Sequence, residues 1–116
     1  MSDVLRLKHI LEAIDRVERS LSRVTLEDFL KNEDKKWAII SHLTVIGEAA
    51  NNLEKALRRQ YPSNIWNDAI LLRHSLVHEY FRISDEEIWT TATKTLPKIK
   101  QHIVRVLTME QKKSKE

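Results

Sequence analysis

The sequence predicts an all-α fold, a single-domain bundle of about five helices. The chain has 116 residues, which fits one domain, and its one glycine and two prolines are few for the turns of a sheet protein. No stretch alternates polar and apolar residues like a half-buried strand, whereas apolar residues recur at helical spacing along most of the chain. We expect the domain at residues 1–110 and a disordered basic tail at 111–116.

The first two helices are predicted from apolar spacing and from a cap. The first is expected from Asp3 to Leu21, because its apolar residues lie three or four positions apart. Thr25 stands three residues before Asp28, so its hydroxyl can cap a short second helix.

A long third helix is expected from Asp34 to Gln60. Tyr61 ends it, since the residue before a proline avoids the helical region. Gly47 lies in its middle, where glycine costs roughly 1 kcal/mol relative to alanine, and this indicates close packing against another helix. The predicted apolar stripe is Trp37, Ile40, Leu43, Ile46, Ala50, Leu53 and Leu57.

The fourth and fifth helices complete the bundle. The fourth is expected from Ile65 to about Tyr80. Ser84 begins the fifth with the capping box Ser84-x-x-Glu87. Pro97 is expected to kink or divide this helix, because proline removes an internal hydrogen bond. Apolar residues at helical spacing then resume through Leu107.

The fourth helix is apolar on more than half its circumference, which is typical of a central helix or of one pressed against a second chain. We therefore expect a homodimer. Arg73 and His78 are five residues apart and point about 140° away from each other on a regular helix. Two copies related by a twofold axis can instead assemble one pocket from the Arg73 and His78 of both chains.

Composition narrows the classes of protein and partner. The chain contains no cysteine, which excludes disulfides and thiolate metal sites. A net charge of +3 favours an anionic partner such as RNA. The N-terminus lacks a basic start followed by an apolar stretch, and no apolar run approaches the length of a membrane span, so we expect a soluble, cytoplasmic protein without membrane contact.

The segment Leu72–Phe81, LRHSLVHEYF, resembles the R-x4-H-x-Y motif of the HEPN superfamily in the form found in HepT-type toxins. His74 stands where that family often has asparagine. The order of the other similar segments makes the resemblance specific. They are Ile46-Gly47-Glu48-Ala49, Tyr61-Pro62, Ile65-Trp66, Ile83-Ser84-Asp85, Trp89 and Leu96-Pro97.

The resemblance implies a function and a partner. HepT-type proteins are helical-bundle dimers that act as metal-independent ribonucleases of type VII-like toxin–antitoxin pairs. Their partner is a minimal nucleotidyltransferase antitoxin, MntA, which adds AMP to the motif tyrosine. Carried over, Arg73 and His78 are catalytic, Tyr80 is the site of AMP addition, and no cofactor is needed. His74, Tyr80 and Glu48 are expected to bind substrate or support the catalytic pair.

These residue types suit RNA cleavage that uses the ribose 2′-hydroxyl as the nucleophile. Histidine titrates near neutral pH and serves as base or acid. Arginine stays charged and binds phosphate through a planar fork of donors.

Other interpretations stay open at this point. His74 and His78 lie four residues apart on one helix, a spacing that can hold zinc, although no Glu-x-x-His or cysteine ligand accompanies them. The same arginine and aromatic residues would suit a non-catalytic module that binds nucleotide or substrate for a minimal nucleotidyltransferase. A helical dimer with a degenerate site is a third interpretation, which the intact Arg73, His78 and Tyr80 disfavour.

Overall fold

The structure is a computed structural model that describes residues 2–78 and 83–114, with the backbone alone at 77 and 78. Those ranges contain helices and no strand, so the predicted all-α fold is confirmed. A π-helical turn at Thr91–Thr95 joins the last two helices. The helices are α1 Asp3–Leu21, α2 Leu26–Lys31, α3 Glu33–Asn51, α4 Lys55–Gln60, α5 Ile65–His78, α6 Asp85–Thr90 and α7 Leu96–Ser114.

Side chains cap the helices where the sequence predicts it. The Thr25 hydroxyl accepts a hydrogen bond from the Asp28 amide at 3.1 Å, and the Asp28 carboxylate accepts one from the Thr25 amide at 3.3 Å. Ser84 begins α6 by accepting a hydrogen bond from the Glu87 amide at 3.1 Å, the first of the two bonds of a capping box.

The prediction of one helix from Asp34 to Gln60 is wrong, because α3 ends at Asn51 and α4 begins at Lys55. Asparagine is a weak helix former, since its side chain competes for backbone hydrogen bonds. The Glu54 backbone is extended, and its amide donates to Asp3 Oδ1 at 3.2 Å. A carboxylate on α1 thus stabilises the break.

Pro97 changes the last helix without ending it. The chain stays helical from Asp85 to Ser114, and the Leu96 amide donates to the Thr91 carbonyl five residues back. This wider turn leaves room for the proline ring, which would otherwise crowd the carbonyl four residues before it. Residues 111–114, which we expected in a disordered tail, belong to α7.

Three helices of 19 residues each, α1, α3 and α7, form the body of the molecule. Helix α1 packs against α3 and α7, and α5 packs mainly against α3 and also contacts α7. One continuous core joins them. Among its described side chains, the buried residues of α5 are Trp66, Ala69, Leu72 and Leu76. Among the described helices, none is long and apolar enough to cross a membrane.

Trp37 departs from the predicted core stripe of α3. Its side chain is 46% exposed, and Ile39 occupies the buried position instead. The ammonium of Lys36 lies 5.5 Å from the centre of the Trp37 ring. Trp37 and Glu48 are eleven residues apart, about three helical turns, so both lie on the same side of α3.

Candidate active site

Helix α5 approaches α3 so closely at Gly47 that a side chain cannot fit there. A Cβ atom added at Gly47 would lie 2.4 Å from the Arg73 amide nitrogen and 2.8 Å from the Arg73 Cβ. The close packing predicted at Gly47 is therefore confirmed, and the neighbouring backbone is that of Arg73. The only glycine of the sequence thus sets the distance between α3 and the first residue of the motif.

A second anchor holds the beginning of α5. The Trp66 indole nitrogen donates to the Tyr61 carbonyl at 2.7 Å, and the Trp66 ring meets His102 of α7 edge-on with 4.7 Å between ring centres. The Tyr61 hydroxyl donates to Glu110 Oε2 at 2.7 Å, which ties the turn before α5 to the end of α7. Because both its beginning and its middle are fixed, α5 is a rigid support for the residues that it carries.

Arg73 forms an ion pair with Glu48, the residue that follows Gly47. The contact joins Arg73 Nε to Glu48 Oε2, and the two side chains are 42% and 51% exposed. No other described side chain forms an ion pair with this guanidinium. The carboxylate therefore orients the guanidinium at a surface that is partly open to solvent.

The structure places the other predicted site residues only in part. His74 is exposed on α5, on the stripe that also carries Asn67 and Leu71. His78 is the last residue of α5 that the structure describes, and only its backbone is described. Tyr80 lies outside the described residues. The structure therefore brings Arg73 and Glu48 together, while the roles predicted for His78 and Tyr80 stay predictions.

The two helices that carry the ion pair also expose large apolar side chains. Leu71 of α5 is 51% exposed and Val45 of α3 is 48% exposed, in addition to Trp37. Exposed apolar side chains that form a patch mark interfaces between protein chains, so these residues are candidates for contact with a second chain.

A cleft of about 200 Å³ lies on the α6 side of α5. Its walls are mostly apolar, and Arg73 and His74 are not among them. The residues lining it include Leu43, Leu72, Leu76 and Ile88, with Asp68, Ser75, Thr91 and Thr95 at polar positions. Because a phosphate needs a cation, the exposed surface around Arg73 is the better candidate for the site.

Two histidines outside the motif have lowered pKa values. Burial, and secondly the charge of Arg16, lowers the pKa of His42 on α3. Burial, and secondly Arg105, lowers the pKa of His102, and a hydrogen bond with the Tyr61 backbone opposes this change. Among the described residues, no three histidine, aspartate, glutamate or cysteine side chains converge as a metal site.

Comparison with known proteins identifies the family. The model of the family described as ribonuclease HepT-like matches residues 10–106. The chain belongs to the HepT-like ribonuclease family. The family predicted from the motif segment is thereby confirmed, and the protein is grouped with ribonucleases of HEPN type.

Named relatives cover almost the whole chain. A protein of Thermococcus cleftensis named "Probable ribonuclease HepT" is 32% identical over 94 residues, or 81% of this chain and 86% of that protein. A candidate RNase of Caldanaerobacter subterraneus subsp. tengcongensis is 31% identical over 104 residues, 90% of this chain and 93% of its own length. A candidate RNase of Methanocaldococcus jannaschii is 31% identical over 101 residues, 87% of this chain and 84% of its own length. No solved structure matches the chain at a significant level.

Proposed function

We propose that this HepT-like protein is a metal-independent endoribonuclease toxin that cuts RNA at a composite site formed across a homodimer. Arg73 and His78 are its catalytic residues. The observation that carries the proposal is the placement of Arg73, whose backbone is fixed against Gly47 and whose guanidinium is oriented by Glu48 at an exposed surface. An oriented cation open to solvent suits a phosphate of a large substrate.

The cleavage step needs no group beyond side chains of this chain. One His78 takes the proton of the ribose 2′-hydroxyl, whose oxygen attacks the adjacent phosphorus. The bond from phosphorus to the 5′-oxygen breaks, and that oxygen takes a proton from His78 of the partner subunit. Arg73 neutralises the charge that builds up on the phosphate oxygens. The products are a 2′,3′-cyclic phosphate and a free 5′-hydroxyl.

The directions of the side chains and the exposed apolar surface support the proposed dimer. Arg73 and His78 leave a regular helix about 140° apart and converge poorly within one chain. Leu71 of α5 and Val45 of α3, each about half exposed, supply apolar surface for a twofold contact on the two helices that also carry Arg73 and Glu48. A contact of this kind would bring the motif helices of two chains together.

Cleavage of a labelled RNA in EDTA tests the proposal directly. The purified protein should cut the RNA and leave cyclic phosphate, whereas RNA carrying a 2′-O-methyl group at the cut should survive. His78→Ala should remove cleavage and keep the thermal melting curve of the parent. Loss of activity in EDTA that zinc restores would instead favour a metal site at His74 and His78. Intact RNA under all conditions would favour a nucleotide-binding partner of a nucleotidyltransferase.

Regulation is proposed at Tyr80, through AMP addition by a minimal, MntA-like nucleotidyltransferase antitoxin. Tyr80 is two residues after His78 in the motif. An added AMP carries about one negative charge and a bulky nucleoside, so it would compete with RNA phosphate for Arg73. Co-expression with the partner should add the mass of AMP to the parent and not to Tyr80→Phe. An unmodified Tyr80 in a silenced toxin would mean that the partner acts by binding alone.

A further inference from the structure

Helix α7 carries a row of cationic side chains. Lys98, Arg105 and Lys112 are each seven residues apart and are all exposed. Seven residues make almost two helical turns, so the three share one face at intervals of about 10 Å. Lys100 points to another side of α7, where it pairs with Glu18 of α1 at 2.9 Å.

Among the described residues, no carboxylate pairs with this row. Within the described part of the chain, Lys98, Arg105 and Lys112 form no ion pair, whereas Lys100 and Lys113 both do. Cations without partners on one face of a helix produce a local positive potential that attracts an anion.

The row borders a groove of about 420 Å³ between α7 and the beginning of α5. Its lining is Ile65, Lys98, Gln101, His102 and Arg105. Four of these five residues carry polar or cationic groups on their side chains. The Nε2 atom of His102 is buried and has no hydrogen-bond partner among the described residues.

The groove lies beside the Arg73 surface. Ile65 and Arg73 are eight residues apart, about 12 Å along the axis of α5. Trp66 and Arg73 are seven residues apart and leave α5 on the same side, and the Trp66 ring packs against His102 of the groove. A strand bound at Arg73 therefore needs to extend only a short distance to reach Lys98 and Arg105.

We infer that the groove lined by Ile65, Lys98, Gln101, His102 and Arg105 binds the phosphodiester backbone of RNA on one side of the cut. This assignment rests on the proposed ribonuclease function and extends it. The centre of a protein–protein interface is usually depleted of charge, whereas this groove has two unpaired cations in its walls. Lys98 and Arg105 bind successive segments of backbone, and Gln101 donates to a phosphate or ribose oxygen. Binding is independent of sequence, because no contact involves a base edge.

Salt-dependent binding of an uncleavable strand provides the test. The probe is a fluorescent RNA oligonucleotide that is 2′-O-methylated at every position, with its affinity measured by anisotropy over a range of KCl concentrations. We plot the logarithm of the association constant against the logarithm of the KCl concentration. The slope for Lys98→Gln/Arg105→Gln should be shallower than that of the parent by about 0.7 for each phosphate that is no longer neutralised, or about 1.4 for two phosphates. If the lines for the parent and the variant meet at about 1 M salt, the variant should bind the RNA roughly 25-fold more weakly than the parent at about 0.1 M.

A matched control removes the same charge elsewhere. Lys8 on α1 and Arg23 after α1 are exposed and form no ion pair within the described residues. Lys8→Gln/Arg23→Gln should bind RNA with the salt dependence of the parent. Lys98→Arg/Arg105→Lys should also retain it, because the charges are kept. All variants should melt within about 2 °C of the parent, since exposed substitutions change stability little.

The His102 ring gives a local readout. In nuclear magnetic resonance spectra, the oligonucleotide should shift the His102 ring signals clearly in the parent and much less in the Lys98→Gln/Arg105→Gln variant. Equal salt dependence for this variant and the Lys8→Gln/Arg23→Gln control would overturn the groove assignment, even if cleavage by the parent upholds the ribonuclease. Conversely, groove-dependent binding without cleavage by the parent would overturn the ribonuclease and keep the groove. A groove variant that binds RNA normally but no longer binds the nucleotidyltransferase would also overturn the assignment to RNA.

Discussion

The substitution Gly47→Ala tests whether the close approach of α3 and α5 positions Arg73. The new Cβ would lie 2.4 Å from the Arg73 amide nitrogen, and ordinary contact begins at 3.4 Å, so the two helices must separate by about 1 Å. Overpacking of this kind costs about 1–3 kcal/mol. Alanine in a helix interior recovers about 1 kcal/mol relative to glycine. We therefore expect a net loss of roughly 0–2 kcal/mol in the free energy of unfolding.

The effect on cleavage should be larger than the effect on stability. A displacement of about 1 Å moves the Arg73 guanidinium away from the phosphate and can lower the rate on the order of 100-fold. Urea denaturation gives the stability, and single-turnover cleavage of a labelled RNA gives the rate. Ile103→Val is the matched control, because it weakens the core of α7 by about 0.5–1.5 kcal/mol without altering the surface of α5.

Two results would refute this reasoning. A Gly47→Ala protein that cleaves at the rate of the parent would show that the position of Arg73 does not depend on the helix contact. Equal losses of rate in Gly47→Ala and Ile103→Val would attribute the effect to general destabilisation rather than to displacement of Arg73.

Three further predictions concern other contacts. Glu48→Gln should lower kcat, because Arg73 loses the carboxylate that orients it. KM should stay equal or fall, because the unpaired guanidinium attracts phosphate more strongly. A rise in KM with kcat unchanged would contradict this prediction. Tyr61→Phe should cost about 1–3 kcal/mol in urea denaturation. The Tyr61 hydrogen bond is the main cause that lowers the pKa of Glu110. The stability that this bond contributes is therefore complete above the usual carboxyl pKa and is lost as the pH falls through the lowered pKa of Glu110. Tyr61→Phe should accordingly lose less stability than the parent when the pH is lowered. Leu71→Glu should convert a dimer into a monomer in sedimentation velocity, and a parent that is monomeric at micromolar concentration would exclude the composite site.

Local patterns predicted most of the helices, and interactions between residues distant in sequence account for what they missed. The bounds of α1 and the cap of α2 depend on residues within one or two turns, so the sequence predicts them well. The break after Asn51 was not predictable in this way, because apolar spacing continues through Leu57. The carboxylate that stabilises the break belongs to Asp3, 51 residues before Glu54.

The candidate site was also predicted only in part from local sequence patterns. Glu48 was expected among the supporting residues, and the structure shows its ion pair with Arg73. The groove on α7 was missed, although the seven-residue spacing of Lys98, Arg105 and Lys112 was a visible signal. Whether a cation is neutralised depends on which carboxylates the fold brings near it, and spacing alone does not reveal that.

The π turn before Pro97 has a consequence for how chain length can vary in this family. An i to i+5 turn holds one residue more than an α turn, and the buried positions Ile88, Ala92 and Leu96 are accordingly four apart before three- and four-residue spacing resumes. A chain shorter by one residue between positions 91 and 95, and without the proline, could form a regular α-helix and still present the same face of α7 to the core. Homologues should therefore tolerate a single-residue deletion at this point, with the deletion and the replacement of Pro97 occurring together.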